Sequence, residues 1–324
     1  MKKNYWNLLK TEPDSSLVLS NADWMNLAPY LNDHRLEGFI YKHYAAVMPE
    51  ALKKMLAPHW QAQWLRNHLY LEELRLIQHL ADKFKVNLTV LKGAALIPEF
   101  YPDLGSRQMS DLDLLIPMDE FDRFKEMLSS QGYIEKQSDT WKANDFKATF
   151  LIHRQSFELV IELHSRLFFT ESPNRKWQVT QQSPKSLAPT ETLIHLVGHF
   201  SYQHTFLKLF WLIDIDRFIR RHSANIDWVQ FAQASDQLRM NKAMTATLWV
   251  AHYFLDTPIP KSMQKRSFIQ KIFLTEKFLW NKKFNLTYYI LKNDLKDSFK
   301  DTANYSSLWA VQKIKKIFIK SLNT

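Results

Sequence analysis

The chain has 324 residues, of which 46% are hydrophobic, 14% are aromatic, five are glycine and none is cysteine. This composition can build a large core, which excludes an intrinsically disordered chain. The absence of cysteine excludes disulfides, thiolate metal sites and cysteine nucleophiles. The net charge of +10 belongs to residues 261–324, which hold 14 of the 43 Lys and Arg and 4 of the 33 Asp and Glu, leaving 29 of each elsewhere. No apolar run has the length of a signal peptide or a membrane span, so we expect a cytoplasmic protein without a transmembrane segment.

Hydrophobic periodicity divides the chain into four predicted segments. They are N-terminal helices at 1–84, a small mixed α/β core at 85–182, a helical domain at 183–260 and a basic helical region at 261–324. The boundary after the core falls in a loop rich in Pro, Ser and Gln. The predicted class is therefore α+β, with a small mixed β-sheet core flanked by N-terminal helices and a larger C-terminal helical region.

The α/β core is predicted from alternation between strand and helix patterns. Strands are expected at 86–91, 110–117, 148–154 and 157–168, and helices at 94–101 and 118–133. The clearest strand is the last one, because its apolar and polar residues alternate strictly. In it, Phe157, Leu159, Ile161 and Leu163 face one way, while Glu158, Val160, Glu162 and His164 face the other.

Two aspartates, Asp111 and Asp113, lie at strand spacing, so both point to the same face, roughly 6.5–7 Å apart. Carboxylates this close repel unless a cation lies between them or water separates them, and a pair of Mg²⁺ ions suits them. Exposed surface charge is the alternative. Glu162 adds a third carboxylate if its strand lies beside that of the aspartates, and is otherwise a solvent-facing residue of an amphipathic strand.

A second Asp-x-Asp pair, Asp214 and Asp216, lies in a segment with helical periodicity. Residues two apart on a helix lie about 200° apart around its axis and do not easily share a metal. We therefore expect this pair to be solvated or to cap a helix.

Candidate phosphate contacts surround the first aspartate pair. Gly93 lies between a strand and a helix, where free backbone N–H groups and a missing Cβ favour an anion, and Lys92 adds charge. Arg107 is a candidate phosphate clamp, with a surface arginine as the alternative. Ser110 is expected to brace the aspartate strand rather than act as a nucleophile, because no His–Asp partner is evident.

Three segments in this order, LKGAAL, YPDLGSRQMSDLDLLI and ELHSRL, resemble the nucleotidyltransferases of the polymerase-beta superfamily. Within it they resemble the bacterial uncharacterised nucleotidyltransferase family proteins, over roughly residues 65–260. The resemblance implies that Asp111 and Asp113 are the metal-binding pair, Glu162 the third acidic position and Gly93 the glycine of the nucleotide-phosphate turn. Where the superfamily has Gly or Ser after this glycine, the chain has Ala94, so phosphate binding would rest on backbone N–H groups, Lys92 or Arg107.

The implied activity is a Mg²⁺-dependent, two-metal transfer of a nucleoside monophosphate from a nucleoside triphosphate to a hydroxyl of a small molecule, peptide or protein, with release of pyrophosphate. Glu162 would hold a metal or act as general base. Ala94 keeps open a second reading, a catalytically inactive nucleotide-binding or interaction protein. The basic tail keeps open a third and less favoured reading, an RNA-modifying or RNA-binding protein.

Histidines and the basic tail offer further candidates. His195, His199 and His204 are interpreted as buried or helix-face histidines in preference to metal ligands, and the resemblance also admits them to an acceptor pocket. His164 is expected to support the acidic residues rather than to react. The amphipathic segment 311–322 is expected to pack on its own protein, with membrane binding as the alternative.

Overall fold

A computed structural model of the chain describes residues 4–10, 19–136, 146–154, 156–172, 175–281 and 286–298. These residues form 13 α-helices and one five-stranded mixed sheet. The predicted α+β class, with helices on both sides of a small sheet, is confirmed. The predicted basic helix at 311–322 lies outside the described residues. Within the described ranges, no helix is long and apolar enough to cross a membrane.

The N-terminal part is helical, as predicted. It contains α1 (Asn4–Asn7), α2 (Asn21–His34), α3 (Glu37–Tyr44) and α4 (Glu50–Phe84). The 35-residue α4 buries Leu56 near its start and Leu74 and Ile77 near its end. It ends where Lys85 adopts a left-handed conformation and its N–H bonds back to the last turn, which stops the helix.

The sheet occupies the centre of the chain. Its elements are β1 (Thr89–Val90), α5 (Lys92–Phe100), β2 (Leu112–Leu115), α6 (Phe121–Ser130), β3 (Ile134–Glu135), β4 (Lys147–Arg154) and β5 (Phe157–His164). The strand order is β1-β2-β5-β4-β3, with β2 and β5 parallel and the other pairs antiparallel. The strands β1, β2 and β5 are shorter than predicted, and β5 ends at His164 rather than at 168. The sequence does not predict β3, because two residues carry no periodic pattern.

The alternation predicted for β5 is confirmed. Leu159, Ile161 and Leu163 are fully buried, whereas Glu162 and His164 are only half-buried on the other face. In α6, Phe124 and Leu128 share the buried face, and the glycine after the helix has a φ of +86°, which suits a C-terminal cap.

The C-terminal part is again helical. It contains α7 (Pro189–Gly198), α8 (Phe210–His222), α9 (Trp228–Gln237), α10 (Asn241–Leu255), α11 (Phe268–Phe273), α12 (Glu276–Trp280) and α13 (Leu286–Asp294). A π-helical turn at His199–Gln203 continues α7. Such turns often accompany functional sites because they shift side chains off the regular helical face.

Two hydrophobic clusters stabilise the fold. One combines the sheet and α6 with the C-terminal half of α4. The other joins the helices of residues 4–56 to those of 189–295, and Trp280 and Leu291 belong to it. Helices from the N-terminal and C-terminal parts of the described chain therefore share one core. The division into four segments stays a prediction.

Candidate active site

The long helix α4 positions the loop that precedes β2. Asn67 Nδ2 donates a hydrogen bond to the carbonyl of Arg107 at 2.7 Å. Tyr70 Oη donates to the carbonyl of Ser110 at 2.6 Å and accepts from the backbone N–H of Val160 in β5 at 3.2 Å. Because buried backbone groups need partners, these bonds fix the loop against the sheet and set the start of β2.

The predicted carboxylates are brought together by the parallel pairing of β2 and β5. Asp113 lies directly opposite Glu162 in the register of these strands. Asp111 stands one residue before β2 and, like the other two, lines the same cavity. The two strands are neighbours, as the prediction of a third carboxylate in the site required.

Each of two carboxylates has a cationic partner. Lys92 Nζ lies 2.8 Å from Asp113 Oδ1, and Lys147 Nζ lies 2.6 Å from Glu162 Oε2. His164 Nε2 is 3.0 Å from the same Asp113 oxygen. Burial opposes ionisation of Asp113, but Lys92 and His164 outweigh it and hold its pKa well below the usual value.

Asp111 has the opposite electrostatic environment. Burial, reinforced by the negative charge of Asp113, raises its pKa to about 6. Its Oδ1 accepts a hydrogen bond from Ser110 Oγ at 3.2 Å, which supports the expected bracing role of that hydroxyl. A divalent cation at this position would relieve the repulsion between the two aspartates.

The donor set fits a divalent cation. Ligand atoms of Asp113, Glu162 and His164 lie within 4.8 Å of one another, and Asp111 is not part of this group. Carboxylate oxygens suit Mg²⁺, and an imidazole nitrogen also suits first-row transition metals. Burial lowers the pKa of His164, which favours the neutral imidazole that binds metals.

Gly93 and Ala94 stand at the start of α5 but differ in surroundings. Gly93 lines the cavity. A Cβ added there would lie 2.4 Å from Arg107 Nη1 and 2.9 Å from Met109 Sδ, so this close approach requires glycine. Ala94 instead buries its methyl group in the sheet cluster. The side chain at this position, where the superfamily has Gly or Ser, therefore contributes to the packing of the core.

Gly93→Ala is expected to destabilise the protein by about 1–3 kcal/mol, the usual range for overpacking a tight site. The added methyl must displace the Arg107 guanidinium, which is held in a buried ion pair. Thermal unfolding of the variant measures the loss. An unchanged midpoint would show that the turn has more room than the structure gives it.

Arg107 lies in the cavity wall with its guanidinium committed to a buried carboxylate. Its Nη2 lies 2.8 Å from Asp214 Oδ2, and the two side chains are 4% and 0% exposed. Tyr101 Oη also donates to Asp214. The expectation that Asp214 and Asp216 are solvated or capping is wrong, because both are buried and hydrogen-bonded. Both lie on a helix, α8, as predicted.

The cavity has a volume of about 490 Å³ and two kinds of lining. The sheet and the loop before β2 supply the charged groups described above. The aromatic wall, as we call a set of ring-bearing lining residues, comprises Phe146, Phe169, Tyr202, His204, Phe210 and Trp211. A cavity lined by both charged and aromatic groups suits a ligand that carries phosphates and a ring.

Of the three histidines interpreted as buried or helix-face residues, His195 and His199 are buried and His204 is half-buried. His199 and His204 line the cavity, whereas His195 does not. Burial lowers the pKa of His195 to about 3 and that of His204 to about 4. They are therefore uncharged at neutral pH, and within the described residues none belongs to a metal-ligand group.

Sequence reasoning missed two cationic residues of the cavity, Arg35 and Lys147. Lys147 begins β4 opposite His164, and its place on the polar face of an alternating strand is a signal that could have found it. Arg35 follows α2, far from the core in sequence, and no local pattern indicates it.

A small mixed sheet with acidic side chains on adjacent strands and helical flanks is consistent with a nucleotidyltransferase-type core. The family model described as "Uncharacterised nucleotidyltransferase" matches residues 20–256, and the chain belongs to this family. Membership supports a general role in nucleotidyl transfer and thus a transferase. Searches of curated proteins and of solved structures found no match.

Proposed function

We propose that the protein is a Mg²⁺-dependent nucleotidyltransferase that moves a nucleoside monophosphate from a nucleoside triphosphate to an acceptor hydroxyl. One observation carries the proposal: Asp113 and Glu162 face each other on parallel strands, with Asp111 beside them in one cavity. The family membership supports the same reaction class. The acceptor class is a small molecule, a peptide or a protein.

The proposed transfer forms one bond and breaks one. The acceptor oxygen bonds to the α-phosphorus, the bond from that phosphorus to the bridging oxygen breaks, and pyrophosphate leaves with the bond electrons. Asp111, Asp113 and Glu162 would hold two Mg²⁺ ions, with His164 beside them. When bound, the metals neutralise charge on the attacking and leaving oxygens.

The chain's own residues align the reactants and manage charge. Lys92 and the backbone at Gly93 face the cavity at the start of α5, where an anion is favoured. Glu162 either holds a metal or receives the acceptor proton, and Lys147 Nζ lies 2.6 Å from its Oε2. The aromatic wall is the surface available for a base or an acceptor ring.

The test is a transfer assay with α-labelled nucleoside triphosphates, Mg²⁺ and host extract as the source of acceptor. The wild-type protein is expected to give a labelled product and to release pyrophosphate. Asp111→Asn and Glu162→Gln should lose this activity by about a thousandfold or more, since a metal site contributes several kcal/mol.

Matched controls are available on exposed helical surfaces. Asp82→Asn in α4 and Glu126→Gln in α6 make the same chemical changes away from the cavity, and both should retain wild-type activity. Equal label transfer by wild-type protein and Glu162→Gln would rule out the proposed site.

A second candidate, nucleotide binding without transfer, is favoured by the ion pair at the site. Lys92 Nζ already occupies the position beside Asp113 that a cation would take. If Lys92 stays there, nucleotide binds without turnover. Equal binding of Mg²⁺-nucleotide by wild-type protein and Asp111→Asn, with no product from either, would favour this candidate.

A further inference from the structure

Four Lys and Arg side chains line the main cavity, and they differ in whether a carboxylate already holds them. Lys92, Lys147 and Arg107 each lie within 2.8 Å of a carboxylate oxygen. Arg35 also lines this cavity, but its guanidinium forms no ion pair with any carboxylate of the described residues. It is therefore the cavity cation available to a ligand.

Arg35 is positioned close to the carboxylates by a neutral contact. Its Nη1 donates to Ser110 Oγ at 3.3 Å, and the same hydroxyl donates to Asp111 Oδ1. Its guanidinium carbon lies 5.9 Å from the centre of the Phe210 ring. A serine and an aromatic face orient the guanidinium, and the charges of Asp111 and Glu37 act on it without a direct ion pair, so its other hydrogen-bond donors remain for an anion.

A second, smaller cavity of about 190 Å³ adjoins the main cavity. Arg35 and Gln108 line both cavities. Arg66 and His59 add basic groups to the smaller one, and Glu37 is its acidic residue. Burial raises the pKa of Glu37. The second cavity, which we call the basic recess, adjoins the main cavity at Arg35 and Gln108.

We propose that Arg35, with Arg66, binds the β- and γ-phosphates, the part of the nucleoside triphosphate that leaves as pyrophosphate. The assignment rests on the proposed function. Arg35 follows α2 and Arg66 lies on α4, so the N-terminal helices supply this half of the substrate site. Arginine suits the role because its planar fork matches phosphate oxygens in two hydrogen bonds.

Calorimetric titration with three Mg²⁺-containing probes tests the assignment. The probes are the tightest-binding of the four ribonucleoside triphosphates, its monophosphate and pyrophosphate. Arg35→Gln is expected to weaken triphosphate and pyrophosphate binding by about ten- to a hundredfold, as for loss of a hydrogen bond to a charged group, and to leave monophosphate binding unchanged. Arg35→Lys should recover part of the loss.

Two further variants make the result specific. Arg66→Gln changes an exposed residue, so it should fold normally and weaken the same two probes by a few-fold. Arg75→Gln, exposed on the same helix and paired with Glu72, makes the same charge change away from both cavities and should bind all probes normally.

The outcomes separate this assignment from the proposed function. The assignment would be overturned if Arg35→Gln bound the triphosphate and pyrophosphate as tightly as wild-type protein does. It would also be overturned if Arg35→Gln weakened the binding of all three probes equally. An acceptor anion in the second cavity would also leave both affinities unchanged and would appear only as weaker acceptor binding. If wild-type protein binds Mg²⁺-nucleotide without transferring it, the proposed function fails but the same titrations still decide the assignment. If wild-type protein binds no Mg²⁺-nucleotide, pyrophosphate still reports on the recess.

Discussion

Replacing Asp113 with Asn is expected to abolish nucleotidyl transfer and to destabilise the folded protein at the same time. Asp113 is 3% exposed, and its partner Lys92 is 13% exposed at 2.8 Å. Removing one member of a buried pair leaves an uncompensated charge, which costs about 3–5 kcal/mol of unfolding free energy. Urea unfolding in metal-free buffer should show a lower midpoint at an unchanged m value.

Asp111→Asn is the matched comparison and should have the opposite effect on stability. A carboxyl group whose pKa is raised in the folded state, here to about 6, binds protons more readily when folded, so its ionised form opposes folding at pH 7. Asp111→Asn should therefore be as stable as wild-type protein or more so, while losing transfer. If Asp111→Asn and Asp113→Asn lowered the free energy of unfolding equally, the electrostatic environments described for the two aspartates would be contradicted.

A double variant separates charge balance from catalysis. Lys92→Met in the Asp113→Asn background removes the stranded ammonium, and apolar replacement of a buried pair is often neutral or stabilising. Most of the lost stability should return, while transfer stays absent. Recovery of transfer in the double variant would show that neither residue takes part in the reaction.

The second large effect is expected from Asp214→Asn, although this residue does not line the cavity. Its carboxylate neutralises Arg107, and both side chains are almost fully buried. The substitution leaves the guanidinium without a counter-charge and should cost about 3–5 kcal/mol. Because Arg107 lies in the loop that ends at Asp111 and fills the space beside Gly93, transfer activity should also fall.

The neighbouring Asp216 provides a control on the same helix. It accepts hydrogen bonds from Arg220 and Thr257, and the Arg220 side chain is 34% exposed. Water can solvate that guanidinium after Asp216→Asn, so the cost should be smaller than for Asp214→Asn, with transfer retained by the folded protein. Urea unfolding of both variants decides this, and a larger loss for Asp216→Asn would contradict the assigned roles.

Local sequence patterns were sufficient to predict the structural features that depend on residues close together in the chain. Strict alternation in β5 predicted which residues are buried and placed Glu162 on the polar face, and helical spacing predicted the helical character of the N-terminal and C-terminal parts. The pairing of β2 with β5, which brings Asp113 opposite Glu162, depends on long-range contacts that no local pattern encodes. From the sequence, this pairing could be stated only as the condition for a third carboxylate in the site and as an implication of the family resemblance.

The wrong and missing predictions also concern contacts between residues that are distant in the sequence. Asp214 and Asp216 are expected from the sequence to be solvated or to cap a helix, because residues two apart on a helix do not easily share a metal. Asp214 is buried because Arg107 and Tyr101, more than 100 residues away in sequence, enclose it. Arg35 was not identified because its proximity to Ser110 joins the first helices to the sheet core across 75 residues.

The central claim is that Asp111, Asp113 and Glu162 form a metal–nucleotide site, and metal binding tests it most directly. The measurement is electron paramagnetic resonance of Mn²⁺, titrated into protein with a nucleoside triphosphate, for wild-type protein, Glu162→Gln and the exposed control Glu126→Gln. We expect nucleotide-dependent Mn²⁺ binding by wild-type protein and Glu126→Gln, displaced by Mg²⁺ and lost in Glu162→Gln. Equal Mn²⁺ binding by all three proteins, or none by wild-type protein, would contradict the account.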